Sequence, residues 1–248
     1  MQVYSGSDLN KKDIQIQTSF QKLFIIITAG AGLITKATLQ AATIALAKAG
    51  RGGTDQMLPH TPVFTLAEIA AHREGLYVLN AAGTKFMATI DVGDGAAVEL
   101  TNDRYISLDF SSFPGTWTTK IFTVDSPELT NQFKKIVPYS INNQLSTTVD
   151  LRGVDGVCIP KASITKLQLN YLTNGNQPRS VQYLPEELQA IMMDTNEIVR
   201  ADDETTAANL TIVSEDFYIF DTSACVSAFV EFIAAQTTIF YLIKRETF

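Results

Sequence analysis

Few residues in this chain have the type and spacing to do chemistry, and each of them also has a structural reading. The histidines are His60 and His72. Neither has a cysteine or a second histidine at the spacing zinc requires. His60 sits in a turn flanked by Pro59 and Pro62, and His72 falls at a helix end, where the C-terminal dipole favours an imidazolium. Structural roles are expected of both. Acids cluster at Asp91, Asp94 and Glu99, and again at Asp202, Asp203 and Glu204. Asp91-Val-Gly-Asp-Gly95 could offer carboxylate and carbonyl oxygens to calcium, a hard cation, but it lacks the EF-hand spacing. It reads as a loop of solvated acids. Two carboxylates also suffice for a glycosidase. Such enzymes display aromatic platforms, however, and the sole tryptophan is Trp117. Gly50-Arg-Gly-Gly53 lacks the lysine and the strand-to-helix setting of a phosphate loop, and it reads as a turn. Cys158 and Cys225 lie in apolar contexts and read as buried small hydrophobes. No Gly-x-Ser-x-Gly elbow is present. No catalytic, cofactor-binding or metal-binding residue is assigned, no cofactor is expected, and the chain reads as a non-enzyme.

The balance of charges narrows the partners. The chain has 248 residues, 18% of them charged, with a formal net charge of −7. No lysine or arginine block exists, so no direct nucleic-acid contact through a basic face is expected. A hydrophobic content of 46% excludes a disordered chain. Residues 1–8 lack a charged segment followed by an apolar run, so no secretory signal is expected. The mostly apolar stretch 23–47 resembles a membrane span. As a span it would bury Lys36 in the bilayer at about 2.5–3.5 kcal/mol, and Gly30 and Gly32 interrupt it. Two buried strands joined by a glycine turn account for it.

The elements that would position these residues are mainly strands. Ile14 to Phe20 alternates apolar and polar with period two, as a half-buried strand does. Residues 23–27, Leu-Phe-Ile-Ile-Ile, are an apolar β-branched run expected to be covered on both faces. Residues 33–46 alternate with a phase slip and read as strand, with helix open because of the alanines. Pro62 to Glu74 has helical spacing, with Thr65 and Glu68 as a capping box and Gly75 as the stop. Strands follow at 76–79, 85–90, 97–100, 104–110 and 117–124. Later strands are expected at 136–139, 146–151, 158–159 and 164–170, a short helix at 185–193, and three more strands to Phe248. Phe64, Leu66 and Ile69, with Leu188, Ile191 and Met192, would cover the core, or else sit at a contact between subunits.

Several segments recur in order. Gly32 to Gln40 pairs with Ala162 to Asn170 through a shared Ile-Thr-Lys, and Leu66-Ala-Glu-Ile69 pairs with Leu188-Gln-Ala-Ile191. Tyr105 to Asp109 pairs with Phe217 to Asp221, and Thr118 to Val124 pairs with Thr237 to Ile243. Two copies of one β-rich unit of about 115 residues are expected. The fold class is therefore all-β: two tandem eight-stranded jelly rolls, each with one short helix. The expected division is a flexible N-terminal arm at 1–13, a first jelly roll at 14–126, a linker at 127–136 and a second jelly roll at 137–248.

The paired segments Ile34–Leu39 with Ile164–Leu169, Thr65–Ala71 with Glu186–Met192, and Tyr105–Asp109 with Phe217–Asp221 carry a family resemblance. The chain resembles the double jelly-roll major capsid proteins of tailless icosahedral bacteriophages with an internal membrane, the lineage of PRD1 and PM2. The resemblance spans nearly all of the chain after residue 13 and contains no diagnostic short motif. It implies a structural protein of the virion, assembled in the host cytoplasm. Its implied partners are its own copies, first as a homotrimer with a pseudo-hexagonal outline and then as a capsid lattice, with penton or other minor capsid proteins. It also implies that Lys11 and Lys12 of the arm touch an internal viral membrane, each contributing about 1 kcal/mol on anionic lipid. A carbohydrate-binding or adhesive β-sandwich is the competing reading, and it requires exposed aromatic residues on one sheet face.

Overall fold

The computed structural model describes residues 1–50, 53–72, 77–80, 82–93, 95–101, 103–172, 177–188, 216–222 and 224–247. They fall into two compact units. The first comprises Met1–Lys135 with the end of the last strand at 246 and 247. The second is described over 136–172, 177–188, 216–222 and 224–245.

In the first unit, β1 (Gln2–Gly6), β10 (Trp117–Val124), β3 (Lys22–Ala29), β7 (Lys85–Asp91) and β6 (Tyr77–Leu79) form one antiparallel sheet in that order. A second contains β2 (Ile14–Ile16), β9 (Arg104–Ser111), β4 (Thr43–Gly50) and β5 (Gly53–Pro62). A short parallel pair joins β8 (Ala97–Val98) to β11 (Leu129–Thr130). Alternation dictates which side chains enter the core. Leu23, Ile25 and Ile27 of β3 are buried while Phe24 and Ile26 are half-buried, so the run is covered fully on one face only. Ile106, Leu108 and Phe110 of β9 do the same on the other sheet. Burying each such side chain contributes about 1.5–3 kcal/mol.

Helix α1 (Lys36–Ala41) corrects the strand expected over 33–46, of which only the part from Thr43 is strand. Thr35 and Thr38 cap it reciprocally: the Thr38 N–H donates to Thr35 Oγ1 at 3.2 Å and the Thr35 N–H donates to Thr38 Oγ1 at 2.8 Å. Leu39 is then buried on its inner side. Alanine, leucine and glutamine are good helix formers, and a capped start lets that propensity win over the weak alternation. The same Ile-Thr-Lys triplet opens β14 (Ile164–Leu172) in the second unit, so these two stretches are not structural equivalents.

Helix α2 (Val63–His72) begins two residues before the expected cap. The Val63 N–H donates to the Ala42 carbonyl at 2.9 Å, which supplies the cap from a neighbouring segment, and Thr65 is buried inside the helix. Residues 63–70 are buried on every side, which makes α2 a core helix. The expected stop at Gly75 lies outside the described residues.

Two boundary expectations are corrected. The arm is not free. Its residues 2–6 are β1, paired along β10 from Gln2–Phe122 to Gly6–Thr119. A 3-10 turn at Leu9–Lys11 buries Leu9. Asn10 Nδ2 donates to the Phe113 carbonyl at 2.7 Å, and the Phe113 N–H donates back to Asn10 Oδ1 at 2.9 Å. The linker is not free either. It holds β11 and the start of β12 (Gln132–Asp150), whose Phe133 is buried. Its polar appearance hides charges that are paired.

The second unit is a six-stranded assembly in the order β15 (Pro178–Tyr183), β14, β17 (Cys225–Thr247), β13 (Gly156–Pro160), β16 (Phe217–Asp221), with β12 also paired to β17. Residues 185–188 are helical with Leu188 buried. Ile191, Met192 and the rest of the expected helix lie outside the described residues. The proposed equivalents β9 and β16 are both strands, as are 118–124 and 237–243.

Candidate functional site

Adjacent strands bring three of the polar groups together. His60 stands on β5, Thr43 on the paired β4, and Asp109 on β9 beyond it. Thr43 Oγ1 lies 3.1 Å from His60 Nδ1, and Asp109 Oδ2 lies 3.2 Å from Nε2. Asp109 Oδ1 accepts from the Phe110 N–H at 2.9 Å. The order hydroxyl, imidazole, carboxylate is that of a hydrolytic triad. Its setting is not. The His60 and Asp109 side chains are 43% and 71% exposed, so the imidazole works in water, where preorganised charge is worth least. The cluster pins three strands of one sheet, the structural role expected for His60.

Two acids of the first cluster, Asp91 and Glu99, are described. Asp91, at the end of β7, is ion-paired with Lys134 of β12, and both side chains are 8% exposed. The carboxylate proposed as a calcium ligand is thus neutralised by an ammonium. Glu99 is exposed, and Asp94 lies outside the described residues, as do Asp202, Asp203 and Glu204. Among the described residues no group of three potential ligands is close enough to hold a metal ion. The next lysine joins a second network. Lys135 Nζ lies 3.1 Å from Glu246 Oε2 and 3.5 Å from Asp55 Oδ1, and Lys48 Nζ lies 3.6 Å from the same aspartate. Burial pulls the Lys135 pKa down, but Glu246 and Asp55 more than reverse this, so the ammonium is held more firmly than usual. Sequence reasoning placed Lys134 and Lys135 in the linker and missed both pairings, since each acid is remote along the chain.

Gly50 of β4 pairs with Gly53 of β5, which has φ +114°, and Arg51 and Gly52 lie outside the described residues. Trp117 is buried, with its ring edge-on to Phe113 at 6.0 Å, and is no sugar platform. Cys158 and Cys225 are both buried. Burial pushes the Cys225 thiol up, which the Tyr171 hydrogen bond opposes and Asp221 reinforces, so it is a poor nucleophile. The side chain of His72 lies outside the described residues. Phe20, Phe86, Phe110, Phe232 and Phe240 are buried, while Phe24, Phe122, Phe220 and Phe229 are half-buried. None of these nine forms the exposed aromatic face that the carbohydrate-binding reading requires. Among the described residues no helix is long and apolar enough to cross a membrane.

The surface holds what the chemistry lacks. In the second unit, the middle of β12 and the middle of β17 are exposed through residues 142–146 and 233–235. Leu145 and Ile233 are among the most exposed large hydrophobics. Neither residue belongs to a motif that marks a site in the sequence. The readable signal was charge: residues 136–149 and 232–243 carry none.

No family model matches the chain, and no curated protein matches its sequence. Among solved structures, the major capsid protein P2 of bacteriophage PM2 superposes with a TM-score of 0.61 at 8% identity, covering 100% of this chain and 97% of that one. The mavirus major capsid protein and the PBSX exported protein XepA align at 8% and 9% identity, with TM-scores of 0.27 and 0.24. Each covers 99% of this chain and 86% of its own. The PM2 likeness carries the fold: an all-β chain with the double jelly-roll architecture expected from sequence.

Proposed function

We propose that this chain is a major capsid protein of a virus. The observation that supports this reading is the full-length likeness to the PM2 coat protein, which runs across both units and leaves only 3% of that chain unmatched. Partial overlap would have supported only a generic β-sandwich. The exposed, charge-free middles of β12 and β17 are what a self-associating protein presents, and the exposed His60 cluster lacks the enclosure that catalysis needs.

In finer detail, three copies form a trimer with a pseudo-hexagonal outline, and trimers tile an icosahedral shell with penton or other minor capsid proteins at its special positions. The protein resides in the virion of a bacteriophage and assembles in the host cytoplasm. The shell encloses a membrane, and the exposed Lys12 is the residue through which the N-terminal region meets anionic headgroups.

Light scattering coupled to size exclusion tests this. A particle of three times the 27.2 kDa chain mass, or a shell, is expected. A monomer across the whole accessible concentration range refutes the proposal.

A further inference from the structure

The two longest strands of the second unit, β12 and β17, pair with each other. They run antiparallel: the Leu151 N–H donates to the Val226 carbonyl at 2.9 Å, while the Asn143 N–H donates to Thr237 Oγ1 at 3.2 Å. On its other side β17 is paired in two stretches. Residues up to Phe232 pair with β14, ending at Ile164–Phe232, and residues from Tyr241 pair with β13, starting at Cys158–Tyr241. Between these pairs lie eight residues of β17, 233–240, against five of the facing chain, 159–163. The longer path must bow outward. Asn143, opposite the bow, adopts φ +49°, the left-handed conformation that lets β12 follow it.

The bow exposes a particular surface. Ile233 is 76% exposed, Leu145 64% and Ile239 42%, and Ala234 and Ala235 between them are exposed as well. No described strand pairs with 234–240 on the side facing β13 and β14, so this part of β17 presents main-chain donors and acceptors beside apolar side chains. Natural edges are ordinarily protected by charge. Here residues 136–149 and 232–243 contain no aspartate, glutamate, lysine or arginine, in a chain that is 18% charged.

We infer that this bowed β12–β17 ribbon is a contact surface for a second copy of the same chain. The identity of the occupant follows from charge. Each copy carries −7, so identical chains repel one another over most of their surface. A neutral apolar ribbon is where two such copies approach without that cost, and where Ile233 and Leu145 leave water on contact. The inference rests on the self-assembly proposed above and adds the place at which it happens.

The test uses the full chain with both Ile233→Asp and Leu145→Asp, and native mass measured against concentration by light scattering. Both side chains are exposed in the single chain, so circular dichroism and melting temperature should match the parent. Self-association should weaken at least about tenfold, because an aspartate would be desolvated without a partner at the contact. Leu33→Asp, at a residue 61% exposed in the first unit, serves as the control and should assemble like the parent. Equal assembly of the double variant overturns the ribbon as the contact while leaving the capsid reading intact, and so does equal dissociation by the control. A parent chain that is monomeric at every concentration overturns both. Should the double variant not fold, amide exchange of the parent decides: residues 234–240 exchange more slowly on assembly if the inference holds, and at an unchanged rate if it fails. Protection gained on neutral lipid vesicles, with none on assembly, assigns the ribbon to a membrane and overturns it.

Discussion

Lys134 delivers its ammonium to the carboxylate of Asp91, and neither side chain is more than 8% exposed. One residue comes from the end of β7 and the other from the start of β12, 43 positions apart, so the pair ties the start of β12 to the sheet that β7 belongs to. Backbone bonding reinforces it, since the Lys134 N–H donates to the Val92 carbonyl at 2.8 Å. Removing one charge strands the other where water cannot reach it. Lys134→Met should destabilise the protein by about 3–5 kcal/mol in denaturant unfolding, and pairing it with Asp91→Leu should recover most of the loss. A double variant no better than the single one would show that the ion pair is not what holds the two segments.

The expected arm that became a strand gives a second test. Deleting residues 1–8 uncovers the edge of β10 that β1 now pairs. A cost of about 1–3 kcal/mol is expected, with faster amide exchange at residues 119–122. Unchanged exchange there would mean that β1 does not hold its place in solution.

Asn143 sits at φ +49° in the bowed ribbon. Asn143→Ala puts a Cβ that lacks asparagine's local hydrogen bonding into the left-handed region, at about 1–2 kcal/mol, whereas Asn143→Gly should be close to neutral. Thermal unfolding of the two variants separates backbone strain from loss of the side chain.

The core around α2 is set by Phe64, whose ring meets Tyr77 edge-on at 5.5 Å. Phe64→Ala should cost about 3–5 kcal/mol, because α2 is enclosed and cannot collapse into the cavity. A midpoint shift in urea at constant slope is the signature.

Asp150 supplies the pH dependence. Arg152 donates from Nη2 to Oδ2 at 2.7 Å and from Nε to Oδ1 at 2.9 Å, and this holds the carboxyl at about 2, below its ordinary 3.8. The folded pKa is depressed, so the stabilisation is complete above the ordinary value and is lost as pH falls from there through 2. Carboxyl titration by NMR should place Asp150 near 2, and Arg152→Ala should return it toward 3.8. The pair is fully exposed, so the shift should shrink as salt is added.

Period-two alternation placed β2 and β14 close to where they lie, and an apolar β-branched run did the same for β3. Alternation could do so because the inward face of a strand is written into every second residue. The ordered recurrence also pointed toward the double jelly roll. The same local information could not separate the Ile-Thr-Lys that caps α1 from the one that opens β14: propensity is weak, and the choice fell to tertiary packing, which buries Leu39 on α1. The candidate chemistry was even less legible. Asp91 and Asp94 read as a solvated acidic loop until the fold brought Lys134 to Asp91. Lys11 and Lys12 read as the end of a free arm until β1 found the edge of β10. Tertiary structure alone decided these, because burial and charge pairing depend on distances between residues remote in sequence, and no periodicity records them. The ribbon of β12 and β17 lies between the two cases. Its lack of charge is written in the sequence, but its exposure comes from eight residues spanning the length of five.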